Sequence, residues 1–110
     1  MAQDFERARE RNVGTSFVSL RIADSDDAII SIRCANITTS TINVDVVLRD
    51  SANSVDYHLI KNCPIVSGGS LELIDGGSKI VMQNTDQLRV KSDTASSLDV
   101  FASFVDAIST

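Results

Sequence analysis

His58 is the only histidine of this 110-residue chain. It sits in "DYHLIK", two positions after Asp56 and five before Cys63. A general base needs a nucleophile or an orienting partner within hydrogen-bond reach. A lone Asp-x-His on an alternating segment supplies neither by itself, so solvent or an interface is the expected place for His58. Asp56, His58 and Cys63 also lack the ligand spacing of a zinc site. "DSDD", Asp24 to Asp27, gathers three carboxylates but not the twelve-residue loop with its glycine and terminal glutamate that calcium requires. It reads as a solvated hairpin tip. No Cys-x-x-Cys, Gly-x-Ser-x-Gly or His-Glu-x-x-His occurs. The sequence therefore predicts no catalytic residues, no metal and no cofactor.

"PIVSGGSLELIDGGSKIVM" holds two glycine pairs, each followed by serine. A phosphate-binding loop needs Gly-Lys-Ser/Thr and then a helix whose N-terminus faces the phosphate. Here the order is Gly-Gly-Ser-Lys, and the β-branched "KIVMQ" comes next. The pairs read as hairpin turns in which glycine supplies positive φ.

The elements that would carry these residues show a period of two. From Thr15 onward, Val18, Leu20 and Ile22 alternate with Ser19 and Arg21. In "AIISIRCAN", Ile30, Ile32 and Cys34 share one face, and Ile29, Ser31 and Arg33 the other. Ile42, Val44, Val46 and Leu48 point inward from "INVDVVLRD". "SANS" closes a hairpin into a strand with Val55, Tyr57 and Leu59 on one face, and Pro64 ends it, having no ladder donor. "LELI", "KIVMQ" and "QLRVKS" are further strands, the last with Leu88 and Val90 inward. "LDVFASFVDAI" fits a strand through Leu98, Val100, Ala102 and Phe104, and a helix face through Phe101, Phe104, Val105 and Ile108. Its Val, Phe and Ile content favours the strand. About eight short strands, with no strand-then-long-helix rhythm, predict an all-β antiparallel sandwich of jelly-roll type, with a closed barrel as the second choice. Residues 15–110 form this single domain.

The first 14 residues are different. "AQDFERARER" is rich in charge and in helix formers, which predicts a short N-terminal arm or helix over 1–14, frayed or ordered against a neighbouring subunit. Its three arginines and three acids cancel, so it is not a basic nucleic-acid tail. Phe5 is its one large apolar group and the candidate oligomer contact. Removing residues 1–13 is then expected to leave the β domain folded.

The chain carries 10 Lys and Arg against 15 Asp and Glu, a net charge of −5. That balance argues against nucleic-acid binding through phosphate contacts and against an anionic membrane surface. No apolar run approaches the roughly 18 residues of a membrane helix. The N-terminus has no apolar signal core, so a cytoplasmic compartment is expected, with Cys34 and Cys63 as reduced thiols. With no tryptophan and one tyrosine, few rings are available for stacking a sugar or a single-stranded nucleic acid.

The segments "ANITTSTINVDVVL", "DYHLIKNCPIVSGGSLELIDG", "KIVMQNTDQLRVKS" and "SSLDVFASFVD" together resemble the small all-β virion structural proteins of tailed phages from marine cyanobacteria. The resemblance spans about residues 28–108 and leaves 1–14 outside it. It implies a non-enzymatic structural or assembly protein of a phage particle, in tail, neck or capsid surface. Such a protein acts as a homo-oligomer beside other virion proteins, in the virion and in the host cytoplasm during assembly. The alternative on the same scaffold is a sandwich module that binds a glycan or host-surface polymer.

Overall fold

The computed structural model describes residues 4–74 and 80–106. It is all β. The strands are β1 (Asp4–Val13), β2 (Val18–Ile22), β3 (Asp27–Asn36), β4 (Ile42–Asp50), β5 (Val55–Ile65), β6 (Ser70–Glu72), β7 (Ile80–Met82), β8 (Gln87–Ser92) and β9 (Leu98–Asp106). One sheet runs β1-β9-β3-β6, with β7 also on β3, and the other runs β2-β8-β4-β5. Every pairing is antiparallel. The expected β-sandwich is the fold, with the two sheets closing over one apolar layer.

The alternation read from the sequence explains much of that layer. Leu98, Val100, Ala102 and Phe104 of β9 are buried, and so are Ile42, Val44 and Val46 of β4 and Leu88 and Val90 of β8. They meet Ile29, Ile32, Cys34 and Met82 from the β3 side. Phe104 is the largest fully buried side chain. The closing segment is a strand through Asp106; Ile108, which carried the helical reading, lies outside the described residues.

Four local departures from simple alternation matter. The pairing of β2 with β8 shifts between Ser19 and Arg21, so Arg21 turns inward and Ile22 outward, 60% exposed. The pairing of β3 with β9 shifts between Ile29 and Ser31. Ile29, not Ile30, therefore joins Ile32 and Cys34 in the core. Along β4 and β5 the register shifts twice, around Val46, and Tyr57 ends up exposed. A bulge inserts one unpaired residue and moves the residues beyond it to the other face. Pro64 does not end β5: it lies within the strand opposite Asn43. β5 is an edge strand, where a missing N–H costs no ladder bond.

The turn residues behave as their chemistry requires. Gly68 has φ 69°, in the left-handed region that glycine enters freely. Gly69 donates to the Val66 carbonyl at 2.9 Å, and a Cβ there would stand 2.8 Å from Val66 Cγ2. The first glycine pair is thus hairpin punctuation. The second, Gly76 and Gly77, lies outside the described residues.

The N-terminal expectation is corrected. Residues 4–13 are neither a helix nor a loose arm but a ten-residue strand, β1, paired with β9 from Asp4 opposite Asp106 to Glu10 opposite Val100 and, past a bulge, Val13 opposite Leu98. Local propensity favours a helix here, but the open edge of β9 offers a ladder of hydrogen bonds and a place in the core for Val13, which is 2% exposed. Tertiary pairing outweighs propensities of a few tenths of a kcal/mol per residue.

Deleting residues 1–13 therefore does not spare the domain. The deletion strips one side of β9 and removes Val13 and Glu6. Thermal melting followed by circular dichroism is expected to show a large fall in Tm or no cooperative transition. A truncated chain that melts like the full one would show β1 to be dispensable.

Candidate functional site

Among the described residues, charged and aromatic side chains gather in a cluster at one end of the sandwich, on the outer face of the β1-β9-β3 sheet, and where Arg89 and Lys91 lie over the Phe17 ring.

The end cluster is built around Arg21. The β2 bulge turns its side chain inward, leaving it 17% exposed. Its guanidinium reaches Glu6 of β1 at 2.6 Å, Asp27 of β3 at 2.9 Å and Asp106 of β9 at 3.2 Å. Nε donates a second bond to Asp27 at 3.1 Å. Ser25 Oγ bridges Asp27 and Asp106 at 3.0 and 2.9 Å. The guanidinium also lies 5.3 Å from the centroid of the buried Phe104 ring, within cation–π range. Burial, the largest influence on Arg21, works against its charge. Hydrogen bonds and attraction from Glu6 and Asp27 more than offset it, and the pKa sits above its ordinary value.

This corrects the reading of "DSDD" as a solvated tip. Asp24 is exposed, but Asp27 opens β3 and is fully buried. Asp24, Asp27 and Asp106 bring carboxylate oxygens within 4.8 Å of one another, an arrangement that could hold a cation. The chain already supplies a cation there, because Arg21 donates to Asp27 and Asp106. The sequence missed Arg21 because strict alternation put it on the polar face with Ser19. Its one available clue was a cation within six residues of three clustered acids.

The sheet's outer face carries a different set. In register across it, Arg9 of β1, Phe101 of β9 and Arg33 of β3 form a row. The next row is Arg7, Ser103 and Ser31, and the next Phe5, Val105 and Ala28. A cleft of about 390 Å³ lies against Arg9, Arg11, Arg33 and Phe101, with Glu10 and Asp99 also at its wall. A second, of about 460 Å³, lies against Phe5, Arg7, Ile30 and Phe101. Phe5 is 82% exposed and Phe101 41%. Arg33 stands 3.7 Å from Glu72. No ion pair engages Arg7, Arg9 or Arg11 among the described residues.

The other sequence candidates do not converge. Asp56 pairs with Arg49 at 3.0 Å. His58 Nε2 instead lies 3.7 Å from Asp45, whose other oxygen accepts the Asn62 N–H at 2.8 Å in the β5 bulge. Asp56, His58 and Cys63 form no ligand group. Cys34 and Cys63 are both free thiols. Burial pushes the Cys34 thiol up to about 12, helped by the Glu72 carboxylate and by Cys63. A neutral buried thiol is a poor nucleophile.

No family model matches the chain, and no curated protein matches it. Among solved structures, it is similar to a chain from the disulfide-linked pili of Bacillus endospore appendages. The TM-score is 0.55 at 11% identity, over 94% of this chain and 84% of that one. At that identity the likeness is one of fold.

Two expected outcomes test the cluster and the thiols. Arg21→Met leaves Asp27 buried without its cation, which is expected to cost about 3–5 kcal/mol in urea unfolding. Adding Asp27→Asn to that variant should return part of the loss, and a single variant as stable as the parent would deny the cluster its structural role. For the thiols, an alkylating reagent on the folded protein is expected to modify Cys63 first, with Cys34 reacting only on unfolding. Equal rates at both would contradict the burial of Cys34.

Proposed function

We propose that this chain is a non-enzymatic structural subunit that works as a homo-oligomer, and that its assembly is a phage particle. The observation that carries the oligomer is the outer face of the β1-β9-β3 sheet, where Phe5 stands 82% exposed beside Phe101 and three arginines, Arg7, Arg9 and Arg11, outside any ion pair of the described residues. A large aromatic side chain gains about 1.5–3 kcal/mol when it is covered, and aromatic and arginine side chains are the ones enriched at protein interfaces. The phage setting rests on the sequence resemblance over residues 28–108.

Two features support the structural reading. The chain changes sheet between β1 and β2, β2 and β3, β3 and β4, β5 and β6, β7 and β8, and β8 and β9. We read this winding as a jelly roll, an architecture used by capsid proteins. The solved chain of similar fold belongs to disulfide-linked pili.

Light scattering on a size-exclusion column should give a mass several times that of the 11.9 kDa chain. Phe5→Ala should weaken the oligomer while the dissociated chain at low concentration melts as the parent does, since Phe5 contributes little to the core. Mass spectrometry of purified particles should find the chain among the virion proteins. A strict monomer missing from particles would overturn the proposal. Filaments formed by the pure chain, together with its absence from particles, would move the assembly from a virion to an appendage.

A further inference from the structure

The two ends of the sandwich differ in charge. The loops between β2 and β3, β4 and β5, and β7 and β8 lie together. Ala23 and Thr85 exchange backbone bonds with the opposite loop at 2.8 Å, and Gln87 reaches Ser51 at 3.1 Å. Residues 23–26, 51–54 and 83–86 contain no lysine or arginine. Asp24, Asp26, Asp50 and Asp86 stand there, and the nearby cations Arg21 and Arg49 are already engaged by acids of their own. A cleft of about 370 Å³ at this end is walled by Asp50, Asp86 and the exposed Tyr57. Toward the opposite end, on the outer face of the β1-β9-β3 sheet, lie Arg9, Arg11 and Arg33 around Phe101.

We infer that the acidic end of one copy docks on the Arg9–Arg11–Arg33 face of the next, head to tail. This deepens the homo-oligomer reading above and rests on it. The complementarity is specific in kind: guanidinium groups around an aromatic ring on one surface, and aspartates beside a tyrosine on the other. Glu10 and Asp99 lie at the edge of the arginine cleft, and Asp99 accepts the Asn12 N–H at 3.1 Å. The guanidinium groups nonetheless face outward.

A twofold contact through the β1 edge is disfavoured. An antiparallel pairing of two β1 edges centred on Arg7 or Arg9 sets arginine opposite arginine, and like charges across a ladder destabilise it. A head-to-tail contact joins different surfaces of successive copies. It closes into a ring or runs on as a filament, and its charged pairs make it sensitive to salt.

Complementary charge reversal tests this on the full chain. Arg9→Glu/Arg11→Glu/Arg33→Glu alters only one docking surface, and Asp24→Lys/Asp26→Lys/Asp86→Lys only the other. Arg9, Arg11, Arg33 and Asp24 are exposed and Asp26 and Asp86 half-buried, and circular dichroism checks that each variant is folded. Each alone should lose association by about tenfold or more at low salt, roughly 1.4 kcal/mol per contact. Mixing the two should restore it, because each variant then offers a matching partner. Sedimentation velocity and negative-stain microscopy read both results. A parent chain that is monomeric at all concentrations overturns both this inference and the homo-oligomer reading. A parent that assembles unaffected by the arginine reversals overturns this inference alone. So does a folded pair of variants that fails to recover on mixing. Binding of a polyglutamate peptide by a strictly monomeric parent would assign the arginine face to another acidic partner and reject the second copy.

Discussion

One end of the sandwich is organised around Asp27, a fully buried carboxyl group held by Arg21 and Ser25. An isolated carboxylate in that place would cost several kcal/mol. Arg21 makes it tolerable, and only because a bulge in β2 delivers its side chain inward. The same guanidinium ties β2 of one sheet to β1, β3 and β9 of the other. It also sits over Phe104, the largest buried side chain. The apolar layer supplies the bulk of the stabilisation, but it is non-directional. The Arg21 cluster adds direction, fixing how the sheets meet at this end.

The period-two pattern made the sandwich legible in the amino-acid sequence. β4, β8 and β9 place their apolar residues where alternation put them, because the inserted residue of each bulge lies on the partner strand, β5, β2, β3 or β1. Legibility failed wherever a single inserted residue changed the face. Arg21 and Ile30 each stand on the side opposite to the one their parity assigns, and Tyr57 is exposed. A bulge is decided by the partner strand, and the partner is not written in the local sequence. The N-terminal segment failed for a related reason: its composition favours a helix, while the open edge of β9 determines its conformation. Phe5 was legible as the one large apolar group of the first 14 residues. The arginine rows around Phe101 were not, since only register aligns residues 9, 33 and 101.

Side chains complete the sheets where backbone pairing stops. β6 and β7 share the edge of β3 with a gap between them. Glu72 fills part of it, accepting from the Ile32 N–H at 2.9 Å, the Ile74 N–H at 3.3 Å and Ser31 Oγ at 3.1 Å. Asn36 plays the same part at the other end. Its amide donates to the carbonyls of Ser40 and Ile65, at 2.7 and 2.9 Å. Buried polar groups need partners, and these two residues provide them at points a strand does not reach.

The pairing of β1 with β9 has a consequence in time. Residues 4–13 find their partner only at residues 98–106, and Arg21 finds Asp106 only then. At about 5–20 residues per second, a ribosome leaves the first strand waiting for several seconds. The chain therefore cannot complete this sheet until residues 98–106 have been made. Contacts of such long sequence separation also slow folding. Phe5 and the β1 edge are exposed throughout that interval. The charges that line β1, Glu6, Arg7, Arg9, Glu10 and Arg11, are the kind that keep an open edge from pairing with the wrong chain.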